Sequence, residues 1–297
     1  MNPSSIPFVK MHGCGNDYVF VDDGFSGASL PVPRERWPAM AHAVSERHTG
    51  VGGDGLIVLR RGAEGPLAMV MFNADGSEGA LCLNGLRCAA KYARDRDPGV
   101  PERFAVETIS GPRPVRVTAT GRPEISTVTV EVGTATFARA AIPAAGEGAE
   151  LWGEPLGAGG ETRPAYGVSL GNPHVVLFEE NPAALAASPL DRLGPALQAS
   201  AVFPEGVNVH LAAVTEDGVL VVRHWERGSG PTLACGSGAV AVFAVARRLG
   251  RVPGEATVAM PGGEVTVADS GGVLLLTGPA VEVCSGEWLW GGAGGPG

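Results

Sequence analysis

The sequence lacks an excess of positive charge: Lys and Arg total 22 against 31 Asp and Glu, for a formal net charge of −9. A broad nucleic-acid or anionic-membrane surface needs the opposite balance, so neither partner is expected, although a local basic pocket stays open. Nor is there a run of the ~20 apolar residues that a membrane helix requires. The opening segment MNPSSIPFVKMHG contains no long apolar stretch, so no signal peptide is expected. Cysteines are few and odd in number: Cys14, Cys82, Cys88, Cys235 and Cys284. A sparse, odd set excludes a disulfide framework, and the lack of any C-x-x-C pair argues against a zinc ribbon. The expectation is a soluble, cytoplasmic protein whose thiols are either buried or chemically used.

What is present is 44% hydrophobic residues, enough for a core, on a chain of 297 residues, which is at most two ordinary domains. Glycine is abundant, 45 residues without a G-X-Y period, which points to tight turns and close backbone approach rather than collagen. Short alternating or β-branched segments predict strands at 18–21, 56–59, 67–72, 115–118, 127–132, 174–178, 219–223, 256–259 and 273–276. Helical periodicity predicts helices at about 36–46, 84–94, 189–199 and 236–249, the last with Arg247 and Arg248 at its C-terminal end. Many strands with few helices give an α+β class. Residues 138–162, rich in Ala, Gly, Pro and Glu, read as a surface loop, and the glycine-rich tail 291–297 as disordered. Asp54-Gly55 and Asp75-Gly76 read as turns, and Trp288 and Trp290 as anchors of a last strand.

An internal repeat sharpens this. Gly15-Asn16-Asp17-Tyr18 resembles Gly171-Asn172-Pro173-His174, offset 171 − 15 = 156; Gly50-Val51-Gly52 resembles Gly206-Val207-Asn208, offset 206 − 50 = 156; Cys82-Leu83-Asn84-Gly85 resembles Cys235-Gly236-Ser237-Gly238, offset 235 − 82 = 153. Three matches in one order predict two similar halves. In each half a strand, a polar loop, a cysteine and a nearby glycine precede a helix. That places each thiol at a helix N-terminus, where the dipole lowers a thiol pKa and unpaired N–H groups accept an anion. Alone, either cysteine reads as a buried, inert thiol; the repeat favours a functional pair. Cys88, one and a half turns past Cys82, reads as packing, as do Cys14 and Cys284, and a Cys82–Cys88 metal site has no partners at suitable spacing. Two thiols on opposite sides of a carbon suit proton removal from one face and donation to the other, with N–H donors stabilising the carbanion through its carboxylate. Such chemistry asks for no metal and no cofactor.

The blocks Lys10–Asp17, Phe72–Glu78, Cys82-x-Asn-Gly-x-Arg-Cys88, Gly171–His174, Gly206–Asn208 and Glu226–Gly238 together resemble diaminopimelate epimerase, over almost the whole chain. The resemblance implies two pseudo-symmetric α+β domains with the active site in a cleft between them. It also implies a cofactor-independent epimerase that interconverts LL- and meso-diaminopimelate in lysine and peptidoglycan precursor synthesis, and a homodimer. Carried over residue by residue, it makes Cys82 and Cys235 the catalytic thiols. Leu83, Asn84, Gly236 and Ser237 become the positions whose backbone holds the reacting carboxylate. Asn16 and Asn73 become substrate contacts, Asn172, Asn208 and Arg227 contacts of the distal end, and Glu226 a further substrate ligand. His174 and Glu226 become groups that assist the thiols. By default His174 would only satisfy a loop carbonyl, and Glu226-Arg227 would be a solvated ion pair; their places beside the thiol motifs favour the functional reading. A bidentate Arg227 suits a carboxylate and Glu226 an ammonium.

Three positions depart from the family pattern. Leu83 stands where glycine is usual; its N–H survives if φ stays negative, and its side chain is expected to narrow the cleft. Gly55 replaces a substrate-contacting glutamine, and Cys14 an apolar leucine. The expected domains are 1–122 with 278–297, and 123–277, the chain crossing near Gly121–Glu124 and returning by a final strand. Two alternatives stay open: another cofactor-free amino-acid racemase or isomerase of this fold, and a non-enzymatic thiol redox sensor.

Overall fold

A computed structural model describes residues 4–27, 29–158 and 161–291; nearly all of the glycine-rich tail expected to be disordered lies outside these. In chain order the elements are β1 (Ser4–Gly13), β2 (Asn16–Asp22), α1 (Trp37–Ser45), β3 (Gly55–Arg60), β4 (Leu67–Asn73), β5 (Glu78–Gly79), α2 (Leu83–Arg96), β6 (Arg103–Glu107), β7 (Arg113–Ala119) and β8 (Ile125–Gly133). Then follow β9 (Trp152–Ala158), β10 (Glu161–Ser169), β11 (Pro173–Phe178), α3 (Pro182–Ala187), α4 (Leu190–Gln198), β12 (Asn208–Val214), β13 (Leu220–Glu226), β14 (Gly230–Thr232), α5 (Gly236–Arg248), β15 (Glu255–Met260), β16 (Gly263–Ser270) and β17 (Val273–Trp290).

The chain divides into two compact units, 1–130 with 278–297, and 131–277. The first crossing falls inside β8 rather than in the turn at 121–124, because β8 pairs continuously with β7 from Ser126 to Val130 and so stays with the first unit.

In the first unit β1 pairs antiparallel with β2, β2 lies parallel to β3, β3 antiparallel to β4, β4 parallel to β6, and β6, β7 and β8 form a meander. The returning strand β17 pairs with both β1 and β8 and closes the sheet. Helix α2 packs on β1, β2, β3, β4 and β7 and is buried without interruption from Leu83 to Ala93, the signature of a helix enclosed on all sides. Helix α1 covers the opposite sheet face, over Val19, Val21, Leu56, Val58 and Phe72. The β1–β2 hairpin turns on Cys14-Gly15 with φ of 54° and 79°, the two positive values that a two-residue type I′ turn demands. Cys14 is thus the one non-glycine residue among those described with positive φ.

The second unit repeats the order. β11 lies parallel to β12, β12 antiparallel to β13, β13 antiparallel to the short β14 and parallel to β15, and β15, β16 and the start of β17 form a meander. Helix α5 packs on β10, β11, β12, β13, β15 and β16, while α3 and α4 bury Leu185, Leu190, Leu193 and Leu197 on the other face. The loop expected at 138–162 is only partly a loop. β9 pairs antiparallel with β10 across its end, and the irregular part is fastened from within by Arg139, which donates to the carbonyls of Ala145, Gly148 and Glu150 and pairs with Glu154. Small residues at 138–162 hide a hairpin whose apolar weight is carried by Trp152, packed edge-on against Phe137 and Tyr166. No helix among the described residues is long and apolar enough to cross a membrane.

Candidate active site

Each unit holds one cysteine as the N-cap of its buried helix. Cys82 caps α2 with φ −124° and ψ 117°, and Cys235 caps α5 with φ −123° and ψ 110°. The sulfur of each accepts an N–H three residues on, from Gly85 at 3.4 Å and Gly238 at 3.3 Å. This is the N-cap bond that Ser or Asp usually makes, made here by a thiol. The first-turn N–H groups of a helix have no intrahelical acceptor; Leu83 and Asn84 in one unit, Gly236 and Ser237 in the other, occupy those positions. Leu83 has no positive φ, so its N–H is kept in helical geometry. Its side chain is buried, 5% exposed.

Around Cys82 the polar groups form one chain. The thiol donates to Asn16 Oδ1 at 3.2 Å, Asn84 Nδ2 donates to the same oxygen at 3.1 Å, and Asn16 Nδ2 donates to Asp54 at 2.6 Å. Asp54 is fixed by Arg47, which also pairs with Asp17; Lys10 closes the network on Asp17 at 2.9 Å. Those cations and bonds hold the Asp17 carboxyl below the usual range despite the opposing pull of its burial. Tyr18 lies buried beside the thiol, and burial, then the proximity of Cys82, push its hydroxyl well up. Asn73, at the end of β4, is exposed and donates to Ser77 at 2.9 Å. Its cross-strand partner is Gly55, where a methyl group would sit 2.2 Å from the carbonyl oxygen of Phe72 and 2.9 Å from the Tyr18 ring. The glycine in place of glutamine is therefore built into this backbone.

Around Cys235 the surroundings differ. Ser237 Oγ lies 3.5 Å from its sulfur, and Glu226 also bonds to the thiol. Cys235 is 4% exposed; burial, then the Glu226 carboxylate, push its thiol well above the ordinary value, while Ser237 and the Gly238 N–H act the other way. The sequence expectation that the dipole lowers the thiol pKa is thus overridden here by desolvation, which disfavours the charged form. Glu226 is held by Thr232 at 2.6 Å. Asn208 is buried, donating to the carbonyl of Pro173 and accepting the Arg227 N–H, both at 2.9 Å. The Arg227 side chain is exposed and donates to the Glu205 carbonyl at 2.9 Å.

His174 is fully buried, with both ring nitrogens engaged: Nε2 with Asn172 Oδ1 at 2.9 Å and Nδ1 with His210 Nε2 at 2.8 Å. His210 in turn meets His224 at 2.8 Å. No bond from His174 to Cys235 is recorded within this unit; what reaches Cys235 here is Glu226. Sequence reasoning missed Tyr18, His210 and His224. A signal existed for two of them: Tyr18 follows Asn16 as His174 follows Asn172, and His224 falls on the inward set Leu220, Val222, His224 of an alternating strand; His210, inside the unbroken buried run of β12, gave none. Among the described residues no cluster of three or more His, Cys, Asp or Glu is arranged to hold a metal.

The diaminopimelate epimerase family model matches residues 8–138 and 166–283. A diaminopimelate epimerase of Geobacillus kaustophilus (strain HTA426) is 40% identical over 290 residues, covering 96% of this chain and 97% of that one. The chain belongs to the diaminopimelate epimerase family. Another family member, from Synechococcus elongatus, is 38% identical over 287 residues, covering 95% of this chain and 98% of its own. Solved structures share the fold at low identity. A PhzF-family phenazine biosynthesis protein of Bacillus anthracis superimposes with a TM-score of 0.69 at 16% identity, over 96% and 99% of the two chains. A hydroxyproline epimerase of Agrobacterium vitis gives 0.61 at 14%, over 96% and 92%. Both cysteine blocks fall within the matched residues.

Proposed function

We propose that this chain interconverts LL- and meso-diaminopimelate by proton transfer between two thiols and the α-carbon. The observation that carries the reading is the matched pair of caps: two cysteines with the same backbone conformation, each at the N-terminus of a buried helix whose first-turn N–H groups can hold a carboxylate. One thiolate takes the Cα proton. The electron pair left behind is delocalised into the carboxylate, where N–H donors at Leu83, Asn84, Gly236 and Ser237 stabilise it. The other thiol donates its proton to the opposite face, inverting the centre and exchanging the roles of the two sulfurs. Cys235 rests protonated, ready to donate; when the reaction runs the other way, Glu226 is placed to receive its proton. Asn16 and Asn73 bind near the reacting end, Asn172, Asn208 and Arg227 bind the distal amino-acid group, Glu226 is a further substrate ligand, and His174 and Glu226 assist the thiols. No cofactor is required by these steps. The same reading makes the chain a cytoplasmic homodimer acting on a small amino acid in lysine and peptidoglycan precursor synthesis, without nucleic-acid or membrane partners.

The test is turnover of LL-diaminopimelate, followed by circular dichroism or a coupled dehydrogenase, together with α-proton exchange into deuterated water. Exchange and inversion are expected with diaminopimelate and not with monocarboxylic amino acids. Robust racemisation of a monocarboxylic amino acid alone would favour another racemase, and no exchange on any amino acid would favour a thiol sensor.

A further inference from the structure

Three histidines stand side by side on neighbouring strands of the second unit, on the sheet face turned to α5. His210 on β12 is directly opposite His224 on β13, and His174 on β11 is two residues before Val176, the partner of His210. All three are buried. A methyl group on Gly238, whose N–H bonds Cys235, would lie 2.5 Å from His210 Cε1 and 2.9 Å from His224 Nδ1, so the rings press against the first turn of the helix.

Their contacts form a continuous line: His224 Nδ1 to His210 Nδ1, His210 Nε2 to His174 Nδ1, His174 Nε2 to Asn172. Burial, foremost, holds His174 and His224 at about 3 and His210 well below its ordinary value, so all three are neutral at pH 7. A neutral imidazole has one N–H and one lone pair, so only two self-consistent arrangements exist. In one, every N–H points toward Asn172 and the far end of the line, His224 Nε2, is a lone pair. In the other, every N–H points away and His224 Nε2 is a buried N–H. That nitrogen has no partner among the described residues. Unpartnered buried donors are rarer than under-satisfied acceptors, which selects the first arrangement. His174 then donates to Asn172 Oδ1, and the Asn172 amide must present its NH2 outward, where it takes no protein partner among the described residues.

We propose that His210 and His224 are positioning residues that, through His174, fix the amide of Asn172 as a hydrogen-bond donor, so that this position selects a carboxylate rather than an ammonium at the distal end of the substrate. This rests on the function proposed above for its substrate, but the polarity of the line is measurable without it. In the first unit the equivalent strand positions are Tyr18, Ile57 and Met71, by the pairs Val19–Leu56 and Ile57–Met71 against Val175–Val209 and His210–His224. That unit has no such line, so the device belongs to one half of the repeat.

Long-range ¹H–¹⁵N correlation spectra of the ¹⁵N-labelled wild-type chain at pH 7 read each tautomer directly. The expected pattern is Nε2–H at His174 and His210 and Nδ1–H at His224. Nδ1–H at His174, or an imidazolium at any of the three, would overturn the proposal. Kinetics supply the second arm. His210→Leu removes the donor to His174 and is expected to raise KM for diaminopimelate roughly tenfold, the worth of one hydrogen bond to a charged group, while kcat changes less than about twofold, as for a contact made equally in ground and transition states. His210→Gln, which keeps one acceptor and one donor, is expected to recover most of that KM. Equal KM values in the two variants, or a fall in kcat at constant KM, would count against it. If the wild-type chain does not turn over diaminopimelate, the proposed function fails, and the tautomer pattern still decides the line; if His210→Leu does not fold, the wild-type spectrum decides alone.

Discussion

Tyr18 and His174 occupy the same position in the two halves of the chain, each two residues after an asparagine, at the first residue of β2 in one and just ahead of β11 in the other, and one residue before a valine paired to the next, parallel strand. In one half that position presses a phenol hydroxyl against Cys82; in the other it presents an imidazole to Asn172. The repeat conserves the backbone and the thiol caps and diverges in what backs them.

Cys82→Ser and Cys235→Ser should each lower epimerase turnover by at least ~10²-fold, the usual worth of a positioned acid or base. Circular dichroism of the reaction mixture checks this. Activity within tenfold of wild type in either variant would remove that thiol from the proton-transfer pair.

Glu226→Gln should bring the Cys235 thiol down toward its ordinary value, since the carboxylate is the second cause, after burial, that holds it up. Alkylation of the Cys235 peptide by iodoacetamide at pH 8, followed by mass spectrometry, should then be faster than in wild type, because the thiolate is the nucleophile. A slower rate would show that the carboxylate is not what keeps the proton on sulfur.

Gly238→Ala should destabilise by ~1–3 kcal/mol, the usual cost of overpacking a filled core, because the new methyl meets two imidazole rings locked in the hydrogen-bonded line. Gly85→Ala, at the same place in the first unit, meets the terminal methyl of Ile57 at 2.5 Å. That atom can swing aside, so this variant should lose less. Urea midpoints of the two variants give the comparison, and an equal or reversed order would contradict it.

The histidine line also sets a pH dependence. His174, His210 and His224 are held neutral in the folded chain, whereas an unfolded histidine takes a proton below about 6.5. The unfolded state therefore binds more protons as the pH falls, and stability declines from about pH 6.5 downward until His174 and His224 protonate in the fold at about 3. Each site contributes a slope of up to ~1.4 kcal/mol per pH unit. The His210→Leu variant should show a shallower decline between pH 6 and 4 by about that amount, measured as the urea midpoint at each pH. Parallel curves would show that His210 is protonated in the fold.

Much of this was legible in the sequence. The nine segments with period-two or β-branched patterning are strands, and the four helical stretches are helices, because in each the local period and the burial agree. Cys82 and Cys235 could be placed as caps since a polar loop ends and an apolar 3.6 period begins at each of them. What could not be read depends on neighbours distant in sequence. β9 looks like loop because Gly153, Pro155 and Gly157 mask a strand stabilised by pairing with β10. His210 and His224 look like single polar interruptions of apolar strands; only the register of three strands makes them a line. The raised Cys235 thiol could not be read because a helix terminus is visible in sequence and the desolvation of its sulfur is not.

Arg87 is fully buried in α2, and its recorded acceptors are the Pro279 and Leu83 carbonyls and the Cys14 sulfur. Pro279 belongs to the strand that also pairs Ser4 with Trp290. On the ribosome the returning part of that strand emerges after the whole second unit, so β1 and β8 wait for residues 131–277 to be made before their sheet closes and the buried cation finds its Pro279 acceptor. The second unit, contiguous from 131 to 277, has no such dependence. Although domains generally fold in the order of synthesis, here the later half is the one able to finish first, and the amino-terminal half is the portion of the nascent chain left open longest to chaperones and proteases.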